Sequence, residues 1–426
     1  MRCTEEPVVH GRSTRGDDMR TVLTGVRLRG AAVVGVVALA VAACSAEPER
    51  TPTVATPQAP SAPPSATVAP EVTAAPSSVA VPGPALPEAT ATPQDVLTGL
   101  TSPWGLAFLP GGAVLVTLRD PAQVLLLRDD GVVTLGGPGA EELVAGTATG
   151  GEGGLLGVAV PPETPDGGAG SATGAALEVY LYRTTPGGNE VVRTTLDPAA
   201  GTLAPLEPVL TGIPAEGTHN GGRLAFGPDG NLYVATGDAQ ARGASQDPAS
   251  LAGKILRVTP DGEPAPGNPF PGSPVLSLGH RNVQGLAWHP DGTLVASEFG
   301  QNSLDELNAI RPGGNYGWPD VEGTGGAPDF VDPLVTWTTG VASPSGIAAA
   351  QDAVYVAALR GARLWEVPWA DGGVAGEPVA HLVGALGRLR HVAVGPDGAL
   401  WVLTNNTDGR GEPRPGDDRL VRLLPP

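Results

Sequence analysis

Cysteine is nearly absent, with Cys3 and Cys44 the only two in 426 residues. Neither falls in the region that reads as globular, so that region has no disulfide and no thiolate metal site. Roughly 330 residues remain to hold it by burial alone, enough for a sizeable core. Positive charge is also scarce: 25 Lys and Arg stand against 44 Asp and Glu, a formal net charge of −19. Such a balance excludes nucleic acid as a partner. Long apolar runs are missing as well. The uncharged run from Ala31 to Ala43 is too short to cross a bilayer as a helix. The globular region shows no helical periodicity of useful length.

Glycine and proline are plentiful instead, 62 and 46 residues, a composition of turn-rich β structure or of unfolded chain. The two readings apply to different regions. Arg20, Arg27 and Arg29 precede the apolar run, in the pattern of a targeting segment. The run ends in Val41-Ala42-Ala43-Cys44, which resembles the lipobox of bacterial lipoproteins. That resemblance implies a signal segment over 1–43, cleavage before Cys44, a lipid on Cys44 and an extracytoplasmic, membrane-anchored protein. Met19 is a better start for such a signal than Met1, and a plain secretory signal is the alternative. Losing 1–43 removes six Arg and four acidic residues, which takes the net charge to −21. Residues 44–93 are rich in Pro, Ala and Thr, lack aromatics and read as a disordered tether. The globular domain is expected over 94–426.

Within that domain one pattern recurs six times: a small or polar residue, an apolar triplet, a turn and an alternating strand. The copies are Gly105-Leu106-Ala107-Phe108, Gly157-Val158-Ala159-Val160, Arg223-Leu224-Ala225-Phe226, Gly285-Leu286-Ala287-Trp288, Gly346-Ile347-Ala348-Ala349 and His391-Val392-Ala393-Val394. They lie about 45 to 66 residues apart, a spacing seen in propeller blades. Turns such as Pro228-Asp229-Gly230, Pro290-Asp291-Gly292 and Pro396-Asp397-Gly398 follow them. The expected fold is all-β, a six-bladed β-propeller, with the last strand near Leu420–Leu423 closing the ring against residues around Val96 to Leu100. An irregular β-sandwich is the competing arrangement.

The loops before the triplets hold the chemistry. Gly279-His280-Arg281-Asn282-Val283-Gln284-Gly285 is unusually polar for core-bound chain, and Glu152, His219, Arg388 and Arg390 occupy the equivalent loops of other repeats. Pseudo-symmetry brings such loops to one end of the central channel. His219 can take a proton near neutral pH, Asp238 can orient its imidazole, and Arg281, Arg388 and Arg390 offer planar forks for carboxylates. The alternative is that the arginines pair with the many acids and that His219 is a turn residue.

These residues lie within a longer ordered set: Pro103-Trp104-Gly105, Gly153-Gly154-Leu155-Leu156-Gly157, Gly237-Asp238, Glu298-Phe299-Gly300, Asn315-Tyr316-Gly317-Trp318-Pro319 and Arg388-Leu389-Arg390. The set resembles the soluble PQQ-dependent aldose (glucose-type) sugar dehydrogenases across about 94–426. The resemblance implies oxidation of an aldose at its anomeric carbon to a lactone, with hydride passing to PQQ and Ca²⁺ beside the quinone. By the same resemblance His219 is the general base, Asp238 supports it, and Arg281 lies near the reactive carbonyl. Asn282, Gln284, Arg388 and Arg390 bind the cofactor, Arg360 replaces a cofactor-binding lysine, and Trp318 lines the sugar site. Backbone carbonyls of Gly300 and Gln301 hold Ca²⁺, Gln301 standing where the family often has proline. Glu152 stands where the well-known glucose oxidisers carry glutamine near sugar and cofactor, a change that bears on sugar preference or on cofactor charge. Thr218 replaces an acid often found before the base. His280 is expected to hydrogen-bond within its loop, and His289, His381 and His391 to be structural.

A Ca²⁺-dependent lactonase on the same fold, or a non-catalytic surface binding propeller, are the alternatives. A lactonase needs carboxylates converging on the metal where this sequence is rich in arginine. An exported location makes a respiratory quinone or a small redox carrier the expected electron acceptor.

Overall fold

Five apolar triplets fall within, and the second runs one residue past, the first strands of six antiparallel sheets: Pro103–Phe108, Leu155–Ala159, Leu224–Phe226, Val283–Trp288, Pro344–Ala349 and Leu389–Val394. The computed structural model describes residues 92–162 and 176–424. The signal segment, Cys44 and the tether up to residue 91 lie outside the described residues. Each first strand lies against the first strands of the blades on either side, and these contacts close a ring. The architecture is thus a six-bladed propeller, and the sandwich arrangement is excluded. Four blades have four strands, and the second and fifth have five.

Closure of the ring joins the two ends of the described chain. In the sixth blade the strand Leu420–Leu424 pairs with Leu400–Thr404 on one side and Thr92–Leu97 on the other. Thr92 faces Leu424 and Leu97 faces Leu420. The closing strand therefore begins before residue 94, and the pairing extends to Leu100, whose N–H and C=O both bond to Asp418.

The core is distributed between blades. Leu115 and Leu126 of the first blade meet Leu181 and Leu196 of the second, and six such clusters repeat around the ring to Val116 and Leu403 between the last blade and the first. Inner strands such as Val114–Leu118 and Ala353–Ala358 are buried along their whole length, so they read as near-continuous apolar runs. The small residue at the head of the triplet has a steric cause. A Cβ on Gly105 would stand 2.9 Å from the Leu156 carbonyl oxygen of the next blade. A Cβ on Gly157, Gly285 or Gly346 would overlap Gly222, Ser345 or His391 of the next blade. Gly157→Ala is therefore expected to cost about 1–3 kcal/mol, measured as a lower midpoint in urea unfolding. The third and sixth copies carry Arg223 and His391 instead, both buried.

The proline turns form as read. Gly230, Gly292 and Gly398 are left-handed and donate N–H bonds to residues three earlier, while Asp229, Asp291 and Asp397 accept from the N–H two residues on. One element runs against expectation: an α-helix, Pro138–Gly146, packs against the first two blades. Only Gly139 and Leu143 of its nine residues are buried, too few to give a periodic signal. A short 3₁₀ helix, Arg242–Gln246, lies in the third blade.

Candidate active site

The blade starts bring the site together: His219, Arg281 and Asn282 come from the loops before the first strands, and Gln284 and Arg390 from within the strands Val283–Trp288 and Leu389–Val394. His219 adopts a left-handed backbone, φ 63°, stabilised by its N–H bond to Glu152 Oε2 at 2.8 Å. Its ring lies between an acid and a cation: Nδ1 is 2.7 Å from Asp238 Oδ1, and Nε2 is 2.9 Å from Arg281 Nη2. A guanidinium can only donate, so Nε2 carries the lone pair and the ring proton sits on Nδ1. Asp238 is fully buried. Its Oδ2 accepts the indole N–H of Trp318 at 2.9 Å and its Oδ1 also accepts the N–H of Gln240. Burial alone would raise its pKa, but the bonds from His219, Trp318 and Gln240 hold the carboxyl below its ordinary range.

A belt of cations lies beside the imidazole. Arg390 is buried and bonds Gln284 Oε1, Ser345 Oγ and Asn405 Oδ1 at 3.1 to 3.3 Å. Burial and the neighbouring Arg119 and Arg388 push it down to about 9. Arg223 stacks 4.2 Å over Trp104, with Arg390 5.7 Å from the same ring. Burial and Arg390 together lower its pKa well below the usual value. Burial likewise lowers Arg281 despite nearby acids. Four buried nitrogens in this belt have no acceptor: Arg223 Nη2, Arg281 Nε, Asn282 Nδ2 and Arg390 Nε. Unsatisfied donors of this kind are costly, and together they form a site that calls for an anion.

Two adjoining cavities share Phe299. One is lined by Trp104, Arg119, Glu152, Gln284, Arg390 and Arg410, the other by Arg281, Glu298, Gly300, Glu306, Trp318 and Glu322. A roomier groove between Leu109, Leu127, Leu177 and Trp401 holds no histidine and no buried arginine. In the second cavity Glu322 Oε1 accepts four successive N–H bonds, from Gln301 to Leu304, and so fixes the loop after Gly300. Among the described residues no hydrogen bond reaches the carbonyl oxygens of Gly300 or Gln301. Burial and the proximity of Glu298 push the Glu306 carboxyl above its ordinary range.

Other expected residues take more modest places. Arg388 is paired with Asp408 at 2.9 Å. Arg360 is exposed in the turn after Ala353–Ala358 and makes none of the hydrogen bonds described above. His280 is buried, bonded to Glu298 and Ser277 and stacked on Tyr316. His289 and His381 pair with Asp291 and Glu366, and His391 is buried against Gly346.

Sequence reasoning missed Arg119 and Arg410, which lie outside the blade-start loops, and Lys254. The Lys254 ammonium is buried and donates to the carbonyls of Ala244, Ser245 and Ala252 at 2.6 to 3.0 Å. It thereby holds the segment whose Ser245 Oγ bonds the His280 carbonyl and whose Gln246 bonds the Trp318 carbonyl. Burial pushes Lys254 down to about 8. Lys254→Met is expected to strand those carbonyls and to cost about 3 kcal/mol, measurable as lowered thermal stability.

The ring of six blades thus carries a histidine, a buried acid and unpaired guanidinium nitrogens close together, a site for an anion beside a base. The chain belongs to the Glucose / Sorbosone dehydrogenase family, whose pattern matches residues 100–421. It is similar to a solved structure of the PQQ-bound form of aldose sugar dehydrogenase from Streptomyces coelicolor, with 50% identity, a TM-score of 0.71, and 80% of this chain and 99% of that one covered. Aldose sugar dehydrogenase YliI of Escherichia coli is 28% identical over 75% of this chain and 92% of its own. Quinoprotein glucose dehydrogenase B of Acinetobacter calcoaceticus is 32% identical over 54% of this chain and 52% of its own.

Proposed function

We propose that this chain is a PQQ- and Ca²⁺-dependent aldose dehydrogenase that oxidises the anomeric carbon of an aldose to the lactone. The observation that carries this reading is the placement of His219 Nε2, an imidazole lone pair, beside a belt of buried guanidinium nitrogens that lack acceptors. PQQ, a planar tricarboxylate, fits that donor set. The four unpaired nitrogens can bind its oxygens and Trp104 offers a flat apolar wall. Gly300 and Gln301 offer carbonyl oxygens of the type Ca²⁺ prefers, and a backbone ligand is indifferent to proline or glutamine at 301. Bound there, the quinone supplies a two-electron acceptor for the anomeric hydride, and the cation supplies Lewis acidity beside it.

The protein's own part is proton handling and positioning. His219 Nε2 takes the proton of the anomeric hydroxyl, and the resulting imidazolium is stabilised by Asp238 through Nδ1–H. Trp318 fixes the second oxygen of Asp238, so the carboxylate cannot swing away as charge develops. Arg281 spans His219 and the Phe299 carbonyl and can transfer its donor from the imidazole to a cofactor oxygen. Trp318 then walls the sugar side and Arg360 stays outside this arrangement. The lipobox-like segment supports attachment at Cys44 to the outer face of a membrane, where a quinone or small redox carrier takes the electrons.

The test mixes the purified full chain with PQQ, Ca²⁺, an aldose panel and an artificial electron acceptor. Dye reduction that needs both PQQ and an aldose is the expected result. Failure to bind PQQ, with no aldose oxidised, would overturn the reading, and lactone hydrolysis without PQQ would favour the hydrolase.

A further inference from the structure

A carboxylate is an odd lining for a cavity that calls for an anion, and Glu152 lines this one. Both of its oxygens are committed. Oε2 accepts the His219 N–H at 2.8 Å, and Oε1 accepts Arg410 Nη1 at 2.8 Å. The Glu152 side chain is only 19% exposed, whereas that of Arg410 is 53% exposed. Burial would raise the Glu152 pKa, but the His219 N–H and Arg410 more than offset it and keep the carboxyl ionised. The N–H bond is charge-assisted and holds His219 in its left-handed backbone, so Glu152 serves the base by positioning it. The cost is a negative charge facing the place an anionic ligand would occupy.

Arg410 is held in register with Arg388 through a shared partner, Asp408. Asp408 Oδ1 accepts the Arg410 N–H and Oδ2 accepts Arg388 Nη2, both at 2.9 Å. A Cβ on Gly411 would lie 2.8 Å from Arg388 Cδ, so the loop passes directly over that side chain. The segment after Leu400–Thr404 therefore delivers a counter-charge to a carboxylate 258 residues away in sequence.

We propose that Arg410 is a positioning residue that sets cofactor affinity through Glu152: it cancels the carboxylate's charge and orients it toward the His219 N–H, so that the pocket tolerates an acid where it binds a polyanion. The inference rests on the reading of that pocket as a PQQ site. It predicts a specific non-additivity. With Arg410 gone, Glu152 is an unpaired anion at the cavity wall, and removing that charge as well restores binding.

The experiment is calorimetric titration of PQQ into the Ca²⁺-supplied, cofactor-free full chain for the wild type, Arg410→Ala, Glu152→Gln and the double variant. Thermal melts verify that all four are folded. Arg410→Ala is expected to weaken PQQ binding at least about tenfold, and Glu152→Gln to tighten it a few-fold. The double variant is expected to return to within about threefold of Glu152→Gln. A double variant as weak as Arg410→Ala, or an Arg410→Ala protein that binds like the wild type, overturns the inference alone. A wild type that binds no PQQ overturns the cofactor reading and this inference with it.

Discussion

His219→Gln is expected to lower kcat of the PQQ-loaded enzyme by about a hundred to ten thousandfold, the usual worth of a positioned general base. PQQ affinity should change by less than about threefold. The split follows from where the ring sits. Nε2 accepts from Arg281, which lines the second cavity, while Nδ1–H is spent on Asp238, so the one basic lone pair of the ring lies on the side of that cation. Glutamine keeps a hydrogen-bonding group near both partners but has no basic lone pair. Steady-state rates at saturating aldose, together with PQQ titration of the same preparation, check the prediction. A variant within tenfold of wild-type kcat contradicts the base assignment.

Arg390→Met should show the opposite split, with the main loss in binding. Arg390 is surrounded by neutral acceptors and by other cations, and its Nε has no partner at all. Burial, with Arg119 and Arg388 nearby, disfavours its charged form, and an anionic ligand group placed against it would offset that. A carboxylate that does so in a dry site forms a charge-assisted pair, and losing it is expected to raise the PQQ Kd about a hundredfold. By linkage, ligand present at a hundred times Kd stabilises the fold by about 2.7 kcal/mol. A variant with a hundredfold weaker Kd keeps only about 0.4 kcal/mol of this at the same concentration. The PQQ-induced rise in melting temperature should nearly vanish, while the melt without PQQ reports any purely structural effect. An unchanged PQQ-induced shift would remove Arg390 from the cofactor site.

The fold was legible because its repeat is written in close packing. Gly105, Gly157, Gly285 and Gly346 sit where the next blade leaves no room for a Cβ, and the first residue of the triplet after each is buried. The helix Pro138–Gly146 left no such mark, since two buried residues make no periodicity. Site residues were legible where they shared a position in the repeat, as His219 and Arg281 do before their triplets, and Gln284 and Arg390 before theirs. Arg410 and Lys254 were not. One acts across the ring on Glu152, the other through backbone carbonyls, and neither relation leaves a local pattern in residue type. Glu152 itself was visible, but whether its charge would oppose the cofactor depended on a partner that only the folded ring supplies.

The pairing of Thr92–Leu97 with Leu420–Leu424 makes the sixth blade a clasp between the earliest and latest parts of the described chain. During synthesis the first of these strands emerges more than three hundred residues before its partner. Until then its edge is open, and the last blade lacks both of its outer strands. Loop closure over such a span is slow, and an unpaired strand edge is a template for association. The ring therefore reaches its final form only after Leu420–Leu424 has been made, and a chain cut before that strand would lose the clasp.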